Sequence, residues 1–240
     1  MFDETTLIIA KGSFVEECRN RFLCKVDVPE LGHTLCYVPS SARLTNLIAL
    51  ERRIVCLSPL AKSNRLKYSL LAREDGRRYT LLNLNLVNSL MHAALKSERR
   101  YQKVDLHINR LASFGYRSDL LACFKQVEYF EIKSLLSDNA TVSFPSILGE
   151  RALRQLEQIS EGLVNGEHFT YILALLNPII RTVALDETNF EYNSLIKKCF
   201  TQGMKIRIYR FNWELGGQPS FTRARKTEKS FILSLQEVFT

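Results

Sequence analysis

Two acidic residues and one lysine form the pattern in this chain that is best able to do chemistry. Asp119 ends an Arg-Ser-Asp tripeptide, and after eleven further residues the chain reads Glu131-Ile-Lys133. Strand side chains alternate between faces, so Glu131 and Lys133 are predicted to share one side of a sheet. Two carboxylates beside an ammonium group can hold a divalent cation and activate a water molecule.

Both acids lie in segments that are typical of strands. Apolar residues fill 120–124 after Asp119, and they recur through 127–133 around Glu131. The few polar residues between these segments suit a short reversal, so the two strands are expected to pair as neighbours. Asp119, near the open end of its strand, would then approach the side of the sheet that carries Glu131.

The positive charge is concentrated in the first part of the chain. The formal net charge is +8, and residues 1–103 hold 17 Lys and Arg against 10 Asp and Glu, whereas 104–240 hold 16 against 15. This asymmetry indicates that the first part meets a polyanion, while the second part does something else. A basic surface that serves only solubility is the alternative interpretation.

The composition is typical of a globular cytoplasmic protein. Hydrophobic residues make up 46%, with ten glycines and six prolines. The first ten residues carry acids where a secretion signal needs basic residues, and no apolar segment reaches the roughly 18 residues of a membrane span. The six cysteines form no Cys-x-x-Cys pair, which suits a reducing cytoplasm. The sequence contains no glycine-rich phosphate motif and no histidines at ligand spacing, so neither a nucleotide cofactor nor zinc is predicted.

The first part of the chain is expected to fold as a β-barrel. Turn residues separate short apolar runs, and this spacing predicts a small antiparallel barrel over residues 1–84. The five predicted strands are 21–28, 33–38, 54–57, 67–72 and 79–82. A helix within 85–95 and a polar connection over 96–103 follow.

The second part, 85–240, mixes strands with helices. Beyond the two acid-bearing strands, apolar spacing predicts helices and strands in alternation: helix 149–162, strand 169–176, helix 190–200 and strand 205–211. This order predicts an α/β domain with a mixed sheet. A basic extension with a short helical pattern ends the chain, and the sequence leaves the role of residues 213–240 open.

The order of these segments resembles a known family. Asp, a strand turn, Glu-x-Lys and then a helix are similar to the active-site pattern of the PD-(D/E)xK nuclease superfamily. From end to end, over roughly residues 14–212, the chain resembles the sugar fermentation stimulation protein family, SfsA. The similar segments are 14–23, 38–44, 84–95, 115–121, 129–133, 144–156 and 189–203.

The resemblance implies a fold and a function. It implies an oligonucleotide-binding-type (OB-like) barrel followed by a restriction-endonuclease-like α/β domain, and hence an α+β or α/β protein. It also implies DNA binding and a role in regulating sugar utilisation. The barrel and the DNA partner agree with the strand spacing and the charge.

Within such a site, the chemistry assigns a role to each residue. Asp119 and Glu131 would hold Mg²⁺ or Mn²⁺, with the backbone carbonyl of Ile132 as a third ligand, since Mg²⁺ prefers hard oxygen donors. Lys133 would lower the pKa of the attacking water or stabilise the charge on the phosphate.

Two supporting residues complete the predicted site. Arg117 would neutralise a phosphate, and Gln155 on the following helix would orient a water or the backbone. The alternative is a solvated salt-bridge set of the two acids with Arg117 and Lys133, and a Gln155 that is only a surface residue.

DNA contact in the barrel would rest on basic residues interleaved with aromatic ones. The basic residues are Arg19, Arg21, Arg43, Lys62, Arg65 and Lys67, and the aromatic ones are Phe14, Phe22, Tyr37 and Tyr68. Alternatively, Phe22 and Tyr37 fill the barrel core.

The chain departs from the family pattern around the predicted site. Ala42 and Ala152 stand where the family has glycine, Ser146 where it has aspartate and Gln155 where it has histidine. A DNA-binding regulatory protein that retains only the nuclease-like fold is therefore the alternative to an enzyme. An interaction protein with no nucleic-acid partner is a third hypothesis. The sequence leaves open the DNA preference, the oligomeric state and the pathway.

Overall fold

Short alternating runs at the start of the chain form six strands. In the computed structural model, residues 7–40, 42–61, 65–112, 115–145 and 149–224 are described. The strands are β1 Ala10–Glu17, β2 Leu23–Val28, β3 Gly32–Tyr37, β4 Ile54–Pro59, β5 Tyr68–Asp75 and β6 Arg78–Leu81. They are ordered β3-β2-β1-β4-β5-β6, and β3 also pairs with β5. This second pairing closes five strands into the predicted OB-like barrel and leaves β6 outside the ring.

One barrel strand differs from the prediction. The ring contains β1, which the sequence did not predict, in place of β6. Only Gly12 and Phe14 of β1 are buried, so its apolar pattern is weak. Gly12 permits a close approach to β2, because a Cβ atom there would lie 2.5 Å from the backbone oxygen of Asp27.

The remaining described residues form a mixed sheet with helices. The elements are α1 Val87–Ser97, β7 Asp105–Leu111, β8 Arg117–Cys123, β9 Val127–Leu135, β10 Thr141–Phe144, α2 Glu150–Val164, β11 His168–Leu175, β12 Thr182–Leu185, α3 Phe190–Thr201, β13 Lys205–Asn212 and β14 Ser220–Arg223. The large sheet is ordered β14-β13-β11-β9-β8-β7, and β10 pairs separately with β12. Strands β9, β11 and β13 are parallel to one another, and the outer pairings are antiparallel. The mixed sheet and the three helices were predicted, whereas the short strands β10, β12 and β14 were not. The helical pattern predicted at the end of the chain lies outside the described residues.

The large sheet separates two apolar layers. On one face, Phe130 and Ile132 of β9 join the same buried cluster as the barrel and α1. On the other face, Tyr129 and Leu135 join a second cluster with α2 and α3. Central strand β11 is buried from Phe169 onward, which explains its continuous apolar run. No helix within the described ranges is long and apolar enough to cross a membrane.

A buried arginine ties the barrel to the large sheet. Arg73 of β5 is 6% exposed, and its Nη2 donates to Oδ1 of Asp138, just beyond β9, at 2.6 Å. Asp138 Oδ2 also accepts from the Ala49 N–H at 2.7 Å, and its Oδ1 accepts from Asn177 at 3.1 Å. Asp75 contacts the same guanidinium. One carboxylate therefore joins segments from both halves of the chain.

Strand β6 provides a second connection. The Tyr79 N–H donates to the Trp213 carbonyl at 3.0 Å, and the Leu81 N–H donates to the Leu176 carbonyl at 3.1 Å. The rings of Tyr79 and Trp213 also pack with centroids 4.6 Å apart. The strand that lies outside the closed ring thus attaches the barrel to the large sheet.

We expect Asp138→Asn to lower the free energy of unfolding at pH 7 by about 1–2 kcal/mol, because it removes a charged partner of a buried arginine. The effect is moderated because Asp138 is itself 35% exposed and Arg73 keeps Asp75. Urea denaturation measures the change. The exposed Asp27→Asn should have little effect, and equal loss in both variants would contradict the assignment.

The same pair predicts a pH dependence. Burial alone would raise the pKa of Asp138, but hydrogen bonds from Arg73 and the Ala49 N–H hold this pKa below its usual range. The stabilisation is therefore complete above the unfolded pKa of about 3.9 and is lost as the pH falls through the folded pKa. The difference in unfolding free energy between wild type and Asp138→Asn should shrink on acidification below about pH 4.

Candidate active site

The candidate site forms where β8 and β9 stop pairing through their backbones. Their ladder runs from Cys123 opposite Val127 to Leu120 opposite Phe130. At the next position, the Asp119 side chain takes over, and its Oδ2 accepts the N–H of Ile132 at 2.8 Å. Continuing the register places Asp119 beside the next residue of β9, which is Glu131.

Glu131 is a buried carboxylate with a donor on each oxygen. It is 3% exposed; its Oε2 accepts from the Tyr116 hydroxyl at 2.5 Å and its Oε1 from Lys133 Nζ at 2.8 Å. Lys133 also donates to Oε1 of Gln155 on α2 at 2.7 Å. These contacts satisfy the carboxylate and fix the lysine between β9 and α2.

A side chain from α1 holds the second carboxylate. Asn88 Nδ2 donates to Asp119 Oδ1 at 3.1 Å. The same Nδ2 atom lies 3.5 Å from Oδ1 of Asn109 on β7. Asn109 has φ +52° and lies opposite Asp119, where the pairing of β7 with β8 is interrupted without a change of register. Asparagine tolerates this left-handed conformation better than most residues.

The two carboxylates influence each other. Burial, followed by the negative charge of Glu131, raises the pKa of Asp119 to about 6. Burial and the same charge raise the pKa of Tyr116 well above its ordinary value, so its hydroxyl remains a donor. Adjacent carboxylates resist being ionised together, and a bound cation would offset that repulsion.

The donor set fits a hard divalent cation. Each carboxylate oxygen accepts one hydrogen bond here and has a second lone pair available. Across the described ranges, no three His, Cys, Asp or Glu side chains gather into a metal cluster. Two carboxylates would therefore need further oxygens from water, a backbone carbonyl or substrate, as Mg²⁺ sites commonly do. The ligand role of the Ile132 carbonyl stays a prediction.

A pocket of about 510 Å³ lies beside the site, between the start of β8 and α2. Asp119 and Gln155 form part of its wall. Three arginines, Arg117, Arg151 and Arg154, and two glutamates, Glu157 and Glu161, also line it, and all five are exposed. The pocket is open to solvent and large enough for a phosphodiester group.

The structure thus brings together four of the predicted residues: Asp119, Glu131, Lys133 and Gln155. Arg117 lies on the pocket wall nearby. Sequence reasoning assigned no role to Tyr116 or Asn88, although both lie in segments that carry the family resemblance. Gln155 contacts Lys133 rather than the backbone. Ser146, where the family has aspartate, lies outside the described residues.

The predicted DNA-binding residues of the barrel have different environments. Arg19, Arg21, Arg65 and Lys67 are exposed, whereas Arg43 is half-buried and donates to the carbonyls of Cys18 and Arg19. Lys62 lies outside the described residues.

The aromatic residues of the barrel also differ in their exposure to solvent. Phe14 is buried in the core, and Tyr37 and Tyr68 are half-buried. Phe22, for which a core position was the alternative, is 40% exposed, and the Arg21 guanidinium lies 4.8 Å from its ring centre. Phe22 is therefore a surface residue.

Apart from the core residue Phe14, the described members of these two sets lie at one rim of the barrel. Leu23 pairs with Tyr37, and Tyr37 pairs with Ser69, so the start of β2, the end of β3 and the start of β5 are adjacent. The Leu84 N–H donates to the carbonyl of Pro39, just past this rim, at 3.0 Å. Asn88, four residues after Leu84, contacts Asp119. The rim and the candidate site are thus connected through the start of α1.

Comparison with known proteins identifies the family. A model described as "Sugar fermentation stimulation protein RE domain" matches residues 85–217. The chain belongs to the SfsA family. A sugar fermentation stimulation protein homolog from Natranaerobius thermophilus is 24% identical over 216 residues, which span 85% of this chain and 88% of that protein.

A solved SfsA structure shares the fold. The structure of Pyrococcus furiosus SfsA in complex with Ca²⁺ superposes with a TM-score of 0.77 at 19% identity. The match covers 92% of this chain and 96% of that one. The barrel followed by a mixed sheet is therefore the architecture of a known SfsA protein.

Removal of the Asn88 amide should change how Asp119 titrates. Its hydrogen bond helps to lower the pKa of Asp119, so we expect Asn88→Ala to raise that pKa further above about 6 in metal-free protein. Carboxyl ¹³C NMR with a chelator present measures this pKa. Asn85→Ala, an exposed change one turn earlier, should leave it unaltered, and an unchanged pKa in Asn88→Ala would refute the contact.

Proposed function

We propose that this SfsA-family chain is a DNA-binding phosphodiesterase that uses Mg²⁺ or Mn²⁺. The observation that carries the proposal is the convergence of Asp119, Glu131 and Lys133 beside a pocket lined with arginines. The Pyrococcus relative in complex with Ca²⁺ supports it, since Ca²⁺ and Mg²⁺ both take oxygen ligands.

Asp119 and Glu131 would hold the cation, with the Ile132 carbonyl as a further ligand. Such a cation, when bound, polarises a phosphate oxygen and makes a water molecule more acidic. The hydrogen bonds from Asn88 and Tyr116 hold the two carboxylates in fixed orientations, and this preorganisation favours binding.

Lys133 is placed to assist the reaction. Its side chain is 24% exposed, and its ammonium group donates to the buried Glu131 from a position that solvent can reach. There it would stabilise the negative charge that develops on the phosphate, or favour deprotonation of the attacking water. Gln155 accepts one of its N–H groups and acts as a positioning residue for this lysine.

DNA would lie across the barrel rim and the pocket. The rim offers exposed cations around Phe22, whose accessible ring can stack on a base. Arg117, Arg151 and Arg154 would neutralise phosphates near the carboxylates. Hydrogen bonds at Leu84 and Asn88 connect the rim to the candidate site and support this arrangement.

A cleavage assay tests the catalytic part. Wild type with Mg²⁺ or Mn²⁺ should cut single- or double-stranded DNA, and Glu131→Ala and Lys133→Ala should each lower the rate by about 10²-fold or more. Glu191→Ala and Lys198→Ala, exposed changes of the same kinds on α3, should retain activity. If wild type and all variants are inert yet bind DNA, the chain is instead a non-catalytic DNA-binding protein.

Binding of labelled DNA over a salt series tests the rim. Arg21→Gln should reduce the slope of log affinity against log salt concentration by about one, the contribution of one phosphate contact. Phe22→Ala should weaken binding by about 1–3 kcal/mol. Leu31→Ala, an exposed apolar change at the β2–β3 turn, is the matched control. Absent binding at every salt concentration would favour a protein with no nucleic-acid partner.

A further inference from the structure

A second concave site lies at the other end of the large sheet. It is a pocket of about 390 Å³ that includes Arg100, Lys125, His168 and Lys205 in its lining. The active-site pocket lies at the start of β8, and this one lies just past its end. A seven-residue strand spans roughly 20 Å, so the two pockets are separate.

The fold explains why these basic side chains gather. The register pairs His168 with Glu128 and Thr170 with Lys205. The amino ends of β9, β11 and β13 therefore lie side by side at one end of the sheet. The β8–β9 turn adds Lys125, and the segment after α1 adds Arg100. Side chains from four separate segments therefore meet at this edge.

The one acidic residue of the lining is already neutralised. Glu128 has a side chain only 4% exposed; its Oε2 accepts from Arg100 at 2.9 Å and from Tyr101 at 3.2 Å. Its Oε1 accepts from Thr170 at 2.6 Å and lies 3.8 Å from Arg207 Nη2. Both oxygens of Glu128 are therefore occupied by these donors, and the carboxylate does not neutralise Lys125 or Lys205.

The pocket thus has an excess of cationic donors. Lys125 and Lys205 are exposed and form no ion pair with residues that the structure describes. His168 Nε2 lies 2.7 Å from Gln126 Oε1. Arg207, which is 6% exposed, is already paired with acids, since its Nη1 lies 3.9 Å from Glu98 Oε2 and its Nη2 lies near Glu128.

We propose that this pocket binds a phosphate group. Two lysines and a histidine around a polar floor match a compact, doubly charged oxyanion, and the half-buried Phe124 offers an apolar wall for what the phosphate is attached to. The phosphate belongs either to a small phosphorylated molecule or to a nucleic-acid backbone. The site needs neither a metal nor catalysis and so stands apart from the proposed nuclease.

Calorimetric titration with inorganic pyrophosphate, at constant ionic strength, tests the site. Wild type should bind, and Lys125→Gln/Lys205→Gln should bind at least about tenfold more weakly. The control Arg77→Gln/Lys198→Gln removes two exposed charges elsewhere and should bind as wild type does. Addition of pyrophosphate should also shift the His168 imidazole signals in the NMR spectrum of wild type.

Two results would overturn the proposal. One is wild-type binding no stronger than that of chloride, and the other is an equal loss in both double variants, which would show a general charge effect. The source of the phosphate follows from competition. Displacement of pyrophosphate by an unlabelled oligonucleotide, with weaker DNA binding in Lys125→Gln/Lys205→Gln, supports a backbone contact. Retention of pyrophosphate beside bound DNA supports a small phosphorylated ligand. Inactivity in the cleavage assay would leave all these outcomes unchanged.

Discussion

The hydrogen bond from the Ile132 N–H to Asp119 is the constraint on which the site depends. It takes the place of the next backbone contact between β8 and β9, so the strands can separate without leaving a buried donor unpaired. The same bond fixes the Asp119 carboxylate beside Glu131. The opening of the sheet and the pairing of the acids therefore have one cause.

The burial of Glu131 dictates what surrounds it. A carboxylate that is 3% exposed is costly unless donors compensate its charge, and Tyr116 and Lys133 supply them. Its neighbour Asp119 lacks a full counter-charge, and burial, followed by repulsion from Glu131, raises the pKa of Asp119 to about 6. The site is well hydrogen-bonded yet short of positive charge.

Sequence periodicity predicted the part of the site that local structure determines. The alternation of β9 placed Glu131 and Lys133 on one face, and the short β8–β9 turn brought Asp119 near them. Tyr116 and Asn88 were missed because their roles depend on tertiary contacts of buried or half-buried side chains, which have no periodic signal. Likewise, the type of residue alone did not show that Phe22 is exposed and Phe14 is buried.

The barrel shows a similar limit. Five strands were predicted from apolar runs, but β1 has only two buried positions, and its place in the ring depends on the close approach at Gly12. Strand β6 has a strong apolar pattern because it contacts the large sheet through Trp213 and Leu176, not because it closes the barrel. Burial against another part of the chain thus produced the same pattern as burial inside the ring.

One apolar cluster runs without interruption from the barrel to α1 and the large sheet. This continuity determines how the molecule unfolds. A fragment that ended after β6 would present to water the side chains that normally pack on the sheet, and Arg73 would lose Asp138. Such a fragment would be prone to aggregate. The barrel and the large-sheet part are therefore expected to unfold together in a single cooperative transition.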